Sequence, residues 1–410
     1  MNSDIRKADD KPTYVLVLQG GGALGAYHIG AYQALAERDL QPDWVCGISI
    51  GAINAAIIAG NPPADRLARL DALWGYISWP SLFGPLSGKT LATLYNTGSN
   101  ASALLFGQPN FFVPRPVNPF FAPPGPQALS FYDTSPLRFT LRRFADFGRI
   151  NARETRLSLG ATDTLTGALE FFDNTRHELA PEHVMASGSL PPGFPPTLVG
   201  DRLYWDGGCV SNTPLEAVLR DQPLGHTIVF MIDLWSAGGP APRTMNDVLW
   251  REKQIQYASR TAAHIDAVAA KVNLRHAMGL LERAGAEAPG AAASLDIVHI
   301  VYHPTADQIP NSDAEFSRSS IRERRAAGYA DMKNALEEAP WLRQERPAAI
   351  GCLVHRVAQQ AVTTLPLPPP AVQPSPEARP APSAEAEAAP AVAAGGRSSA
   401  RRRASAAAPG

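Results

Sequence analysis

The apolar run Tyr14-Val15-Leu16-Val17-Leu18-Gln19 has strand length, ends in Gly20-Gly21-Gly22, and leads into a helix-compatible stretch from Leu24 to Arg38. A strand, a glycine turn and a helix in that order constrain this chain more than any other feature. Glycines let the backbone turn sharply with its N–H groups outward, at the positive end of a helix dipole. The spacing through Gly25 fits Gly-x-Gly-x-x-Gly, so the turn suits a dinucleotide pyrophosphate. It suits the oxyanion of a tetrahedral intermediate equally well. Taken alone, the motif leaves both open.

A second motif separates them. Gly47-Ile48-Ser49-Ile50-Gly51 lies between a short strand, Trp44–Cys46, and a helical stretch, Ile50–Ala59, which is the setting of a nucleophile elbow. There Ser49 must sit on a tight turn with its hydroxyl projecting from the sheet edge. A dinucleotide site would need an acid ending that second strand. Here Asp43 precedes the strand and Ser49 follows it, which argues against a dinucleotide.

A serine nucleophile needs a base. His299 and His303 flank a late strand, but Val298-His299-Ile300 reads as strand alternation and His303-Pro304 as a strand exit. Asp206, in Leu203-Tyr204-Trp205-Asp206-Gly207-Gly208, is the better candidate. An acid at a strand end, opened by two glycines, takes a serine proton once desolvation raises its pKa. A plain turn is the bland alternative for the same residues.

Further strands are expected at Arg156–Ala161, Ala168–Asp173, Thr227–Ile232 and Ile297–Tyr302. Helices are expected at Pro181–Ser187, Leu215–Leu219 and Arg318–Glu338. Asp247–Arg283 reads as a long helix, with Ile265, Val268 and Val272 packing inward. Strand–helix alternation predicts an α/β fold with helices on both sheet faces. Pro109–Pro126, with seven Pro and four Phe, departs from it. It reads either as a lid or binding loop, or as a surface loop pinned by its rings.

Composition excludes other classes. The chain has 37 Lys and Arg against 38 Asp and Glu, so no strongly basic surface supports nucleic-acid binding. Cys46, Cys209 and Cys352 are too few and too scattered for a disulfide framework or a zinc knuckle. Met1–Lys11 lacks an apolar core, so no secretory signal is expected, and no apolar stretch approaches the ~20 residues of a membrane span. The expected setting is cytoplasmic, with transient peripheral membrane contact. Ala361–Gly410 holds 10 Pro and 16 Ala and reads as disordered. Its Arg397 and Arg401-Arg402-Arg403 read as a solvated tail, or as a hold on anionic lipid or nucleic acid.

The ordered set of Gly-Gly-Gly-x-x-Gly, Gly-x-Ser-x-Gly and Asp-Gly-Gly resembles the patatin-like phospholipases. So does Ala186-Ser187-Gly188-Ser189-Leu190-Pro191-Pro192-Gly193-Phe194-Pro195-Pro196. The resemblance covers roughly Tyr14 to Leu234. It implies a three-layer α/β/α sandwich and a serine acyl hydrolase with a Ser-Asp dyad and no cofactor or metal. Ser49 is then the nucleophile and Asp206 the base; Gly21, Gly22 and Ala23 supply oxyanion-hole amides, framed by Gly20, Gly25, Gly47, Gly51, Gly207 and Gly208. The implied substrate is a phospholipid or acylglycerol ester. Many relatives carry Arg or Lys where this chain has Leu24, so a positive charge near the site is missing.

The stretch after Asn246, ending in Phe316–Arg325, resembles an uncharacterised extension of a bacterial subgroup. The expected organisation is a flexible 1–12, a catalytic core at 13–240, a mainly helical extension at 241–345 packed on the core, and a disordered tail at 361–410. The competing functional readings are a His-dependent esterase and a non-catalytic lipid-binding or scaffold protein on the same core.

Overall fold

The apolar run at Tyr14 forms β1 (Thr13–Leu18). Both of its faces are buried: Tyr14, Leu16 and Leu18 belong to one apolar cluster, Val15 and Val17 to another. A strand buried on both sides belongs in the interior of a sheet covered by helices. The computed structural model describes residues 11–78, 107–221, 225–283, 294–304, 312–343, 346–347, 350–358 and 361–365.

After the glycine turn come α1 (Ala26–Glu37), β2 (Trp44–Gly47), α2 (Ile50–Ala59) and α3 (Arg66–Ile77). A small hairpin of β3 (Val113–Pro114) and β4 (Tyr132–Asp133) precedes α4 (Ser135–Phe144) and α5 (Phe147–Asn151). Then follow β5 (Arg156–Asp163), β6 (Leu169–Asp173), α6 (Pro181–Ser187), β7 (Thr197–Val199) and β8 (Arg202–Asp206). The chain continues through α7 (Leu215–Arg220), β9 (His226–Asp233), α8 (Met245–Arg283) and β10 (Ser294–Val301). It closes with α9 (Arg318–Glu338), α10 (Pro340–Arg343), β11 (Cys352–Ala358) and β12 (Ala361–Leu365).

The strand order is β12-β11-β10-β9-β1-β2-β5-β8-β7, with β6 also paired to β5. The stretch from β11 to β5 is parallel, and antiparallel strands finish both ends. One face carries α1, α2 and α3. The other carries α7 and the middle of α8, where Ile265, Val268 and Ala269 are buried and Val272 packs beside them. This is the three-layer α/β/α sandwich.

The segment after residue 240 is more than a helical addition. It supplies β10, β11 and β12 to the sheet, because Leu295–Ile300 are apolar enough on both faces to pair beside β9 and be covered. Its α9 crosses α1 where Gly30 meets the backbone of Arg325 and Tyr329, and Gly328 meets that of Tyr27. Neither crossing has room for a side chain.

The expected disordered tail also begins too early. Residues 361–365 pair antiparallel with β11, since Val362, Thr363 and Thr364 are β-branched and suit a strand. Residues 366–410, with Arg397 and Arg401–Arg403, and residues 1–10 lie outside the described residues. Among the described residues, no helix is long and apolar enough to cross a membrane.

Candidate functional site

Ser49 lies between β2 and α2 with φ 57° and ψ −124°, a backbone region that L side chains rarely occupy. Its neighbours explain how the turn is tolerated. A Cβ on Gly47 would run into the carbonyl of Gly51, and one on Gly51 into that of Leu18. The turn is held by Gly51 N donating to the Ile48 carbonyl (2.8 Å) and by Ser49 N donating to Ser187, carbonyl and hydroxyl, at 3.1 Å. The Ser187 hydroxyl in turn donates to the Gly160 carbonyl (2.6 Å). Ser187, at the head of the Ala186–Pro196 segment, therefore clamps the serine turn.

Asp206 reaches Ser49 through strand register. On one edge of β5, β2 ends with Gly47 opposite Leu159, and β8 takes over the same edge with Asp206 opposite Ala161. The opposite edge is filled by β6. The chain leaving β2 for the serine turn vacates the lane that β8 enters, so residues 157 positions apart in sequence become neighbours. Asp206 N donates to the Ser189 carbonyl (2.9 Å), and the Asp206 carbonyl accepts from Thr162 Oγ1 (3.0 Å).

The Asp206 carboxyl is 1% exposed, and burial pushes its pKa up to about 7. Two donors pull the other way: Gly208 N at 2.7 Å from Oδ1, and the Ser49 hydroxyl. A carboxyl titrating near neutrality against a serine hydroxyl is suited to proton exchange at working pH.

Gly22–Gly25 form a 3₁₀ turn, and Gly21, Gly22 and Ala23 stand at its start, where backbone N–H groups have no partner within the turn. Gly20 backs directly on Ser49: a Cβ there would lie 3.0 Å from the serine Cβ. Gly21 and Gly22 line the cavity beside Ser49, whereas Ala23 is buried and is not among the lining residues. Asn212 clamps the turn, accepting from Gly20 N through its carbonyl (3.1 Å) and donating to the Gly20 carbonyl through Nδ2 (2.8 Å). Trp235 Nε1 adds a second donor to that carbonyl (2.8 Å). From α9, the buried Arg324 donates to the carbonyls of Ala23 (3.0 Å), Glu315 (2.9 Å) and Ser312 (2.9 Å).

Sequence reasoning missed these holders. Asn212 and Trp235 carried no motif, and Arg324 was one of four charges in Arg322-Glu323-Arg324-Arg325, which reads as a solvated face. Only the wrong-facing arginine of an amphipathic pattern could have signalled it.

The cavity at Ser49 has a volume of about 490 Å³, within the usual range of ~300–1,000 Å³ for ligand pockets. Its walls are largely apolar, with Ile50, Ile53, Phe111, Phe112, Leu190 and Phe194 from the core and Phe316 from the later segment. The proline- and phenylalanine-rich segment thus divides. Phe111 and Phe112 are buried in the wall, while Phe120 and Phe121 are 83% and 85% exposed.

Leu24 is buried. The lining does contain a cation, Lys253 of α8, ion-paired with Asp313. His299 binds Asp233 (2.7 Å) and His303 contacts the Val301 carbonyl (2.9 Å); neither lines the cavity. Asp43 accepts from Tyr14 N (2.8 Å), a structural task. Among the described residues, no group of three or more His, Cys, Asp or Glu is arranged to hold a metal.

Fold and site define a class: an α/β/α sandwich with a strained serine at a strand–helix junction and a buried carboxyl bonded to it. Residues 16–219 match the family model described as patatin-like phospholipase, and residues 255–348 a second one described as patatin phospholipase. This chain belongs to the patatin-like phospholipase family.

Among curated proteins, it is 24% identical to lysophospholipase NTE1 of Mycosarcoma maydis over 242 residues, 57% of this chain and 10% of that protein. It is 39% identical to patatin-like phospholipase domain-containing protein 6 of Mus musculus over 88 residues, 21% of this chain and 6% of that one. The chain thus spans about a tenth or less of the length of these relatives. Among solved structures, VipD from Legionella pneumophila aligns at 15% identity and a TM-score of 0.34, covering 80% of this chain and 67% of that one.

Proposed function

We propose that this chain is a serine acyl hydrolase that cleaves carboxylic esters of lipids through a Ser49–Asp206 dyad and an acyl-enzyme. The observation that carries the reading is the Ser49 hydroxyl bonded to a buried carboxyl whose pKa is pushed up to about 7. As Ser49 Oγ attacks the ester carbonyl, its proton passes to the Asp206 carboxylate. The developing oxyanion accepts from the amides of the glycine turn, with Gly21 and Gly22 lining the cavity there. Collapse expels the alcohol, which takes the proton from Asp206. Water then gives its proton to Asp206 and attacks the acyl-serine, releasing the fatty acid and restoring Ser49.

The apolar walls support an acyl chain as the acid part of the substrate. The relatives named lysophospholipases, together with Lys253 at the wall, support a phosphate-bearing alcohol part. The test is turnover of a medium-chain nitrophenyl ester and a lysophospholipid by Ser49→Ala. Loss of about four or more orders of magnitude in kcat is expected. A folded Ser49→Ala protein with near wild-type turnover would refute the assignment.

A further inference from the structure

We infer that the β3–β4 hairpin is a membrane-docking element that seats the cavity mouth on an anionic lipid surface. Phe120 and Phe121 are consecutive residues, 83% and 85% exposed, in a short 3₁₀ turn fixed by Asn118, whose Oδ1 accepts from Phe120 N (3.0 Å) and whose carbonyl accepts from Phe121 N (3.0 Å), and Phe120 meets the partly exposed Phe131, ring centroids 6.0 Å apart. Leaving two aromatic side chains in water is unfavourable, and contiguous exposed apolar surface of this kind marks a contact site.

The base of the hairpin is firm. Arg115 N donates to the Phe131 carbonyl (2.9 Å), and Arg115 Nε donates to Ser130 Oγ (3.0 Å). Phe131 N and Tyr132 N donate to the carbonyls of Pro192 (3.2 Å) and Gly193 (2.9 Å), two residues of the cavity wall. The exposed tip is therefore presented by a framework rather than left loose.

Two further observations choose a lipid surface as the occupant. The first is continuity with the site. The segment that carries Phe120 and Phe121 outward begins with Phe111 and Phe112 and ends with Tyr132, and all three of these line the cavity beside Ser49. A ring at the tip and a ring in the wall thus lie on one short run of chain, as a route for an acyl chain leaving a bilayer requires.

The second is charge. From Val113 to Asp133 the hairpin holds one cation, Arg115, and one acid, Asp133, whose carboxylate accepts from Ser135 N (2.9 Å) and Oγ (3.1 Å); α4 then adds exposed Arg142 and Arg143 before Asp146. Apolar rings at a tip with Arg115 at its base, and further arginines on the neighbouring α4, match the two layers of an anionic membrane surface, hydrocarbon boundary and charged head groups. Arg138 is engaged by Glu182 (3.1 Å) and is not counted.

The value of docking rests on the acyl-hydrolase reading, but the binding does not require chemistry, and the two are tested separately. The full chain is sedimented with vesicles of phosphatidylcholine, with and without phosphatidylglycerol, beside Phe120→Ser/Phe121→Ser and Ser49→Ala. Wild type is expected to partition onto the mixed vesicles, less so at high salt. The double variant is expected to lose roughly tenfold or more of that partitioning. It should keep wild-type turnover of a monomeric nitrophenyl ester, which reports an intact site. Ser49→Ala should sediment as wild type does, whatever its activity.

Partitioning unchanged in the double variant overturns the inference. So does a wild type that ignores both vesicle types, or a wild-type dimer that the double variant dissolves, which would make a second copy the occupant. An active Ser49→Ala protein would sink the catalytic reading and leave the docking result standing.

Discussion

Replacing Asp206 by Asn should abolish turnover and stabilise the protein, with a gain that depends on pH. Burial holds the folded carboxyl near 7 against an ordinary 3.8, a difference of about 3 units. At 1.36 kcal/mol per unit this is about 4 kcal/mol.

The sign follows from proton binding. Near pH 4 and below, the group is protonated in both states and contributes nothing. Between about pH 4 and 7 the unfolded chain releases its proton while the folded one keeps it, so stability falls as pH rises. Above 7 the whole penalty of a buried carboxylate is present. Asn has the same shape, accepts from Gly208 N and bears no charge, so it escapes the penalty. For a chain larger than 250 residues, about 2 °C or somewhat less per kcal/mol gives several degrees in melting midpoint.

Thermal melts of both proteins between pH 4.5 and 8 provide the measurement. The variant's advantage should grow from about a quarter of its full value at the acid end to nearly all of it at the alkaline end. In the wild type, kcat/KM should rise with pH around a midpoint near 7. A stability difference that is flat across this range, or a variant less stable at pH 8, would refute the claim that Asp206 is held protonated by burial.

Two other substitutions test the site's construction. Gly51→Ala places a methyl group against the Leu18 carbonyl, a backbone atom that cannot swing away, and should cost about 3 kcal/mol or more in thermal stability. Its control is Gly75→Ala, exposed within α3 with nothing within 4 Å, which should raise stability by up to about 1 kcal/mol. Lys253→Met should lower kcat/KM on a lysophospholipid about fivefold relative to a monoacylglycerol of the same acyl chain, the value of a partly exposed charge pair. An unchanged ratio between the two substrates would remove Lys253 from recognition of the phosphate.

Local pattern made much of the site legible. The Tyr14 strand, the glycine turn and the serine between Gly47 and Gly51 are each written in a few adjacent residues, because their constraints are steric and short-ranged. The nearness of Asp206 to Ser49 is of another kind. It arises from β2 and β8 sharing one edge of β5, a register that no stretch of either strand encodes by itself. The same limit hid Arg324, whose burial depends on where α9 crosses α1, and Asn212, whose partner is 192 residues away. At 361–365 the difficulty was averaging. A window rich in Pro and Ala concealed three β-branched residues that pair with β11.

The part of the chain after residue 240 belongs to the site as much as to the fold. Ser312, Glu315 and Ala23 converge on one buried guanidinium, so the end of the glycine turn is tied to Arg324 rather than only to its own helix. The Asp313 carbonyl backs on Gly22, at a position with φ +54° where a side chain would collide with it. Phe316 closes the apolar wall against Phe111, ring centroids 6.0 Å apart. Lys253 brings to the cavity a cation that Leu24 cannot supply from within the glycine motif. A core ending near residue 240 would keep Ser49 and Asp206 in register on β5. It would leave the β9 edge unpaired, the Gly30 face of α1 uncovered and the glycine turn free of its arginine. The register that brings Ser49 to Asp206 belongs to the first 210 residues, and the rigidity and charge of the pocket around them come largely from residues between Lys253 and Arg324.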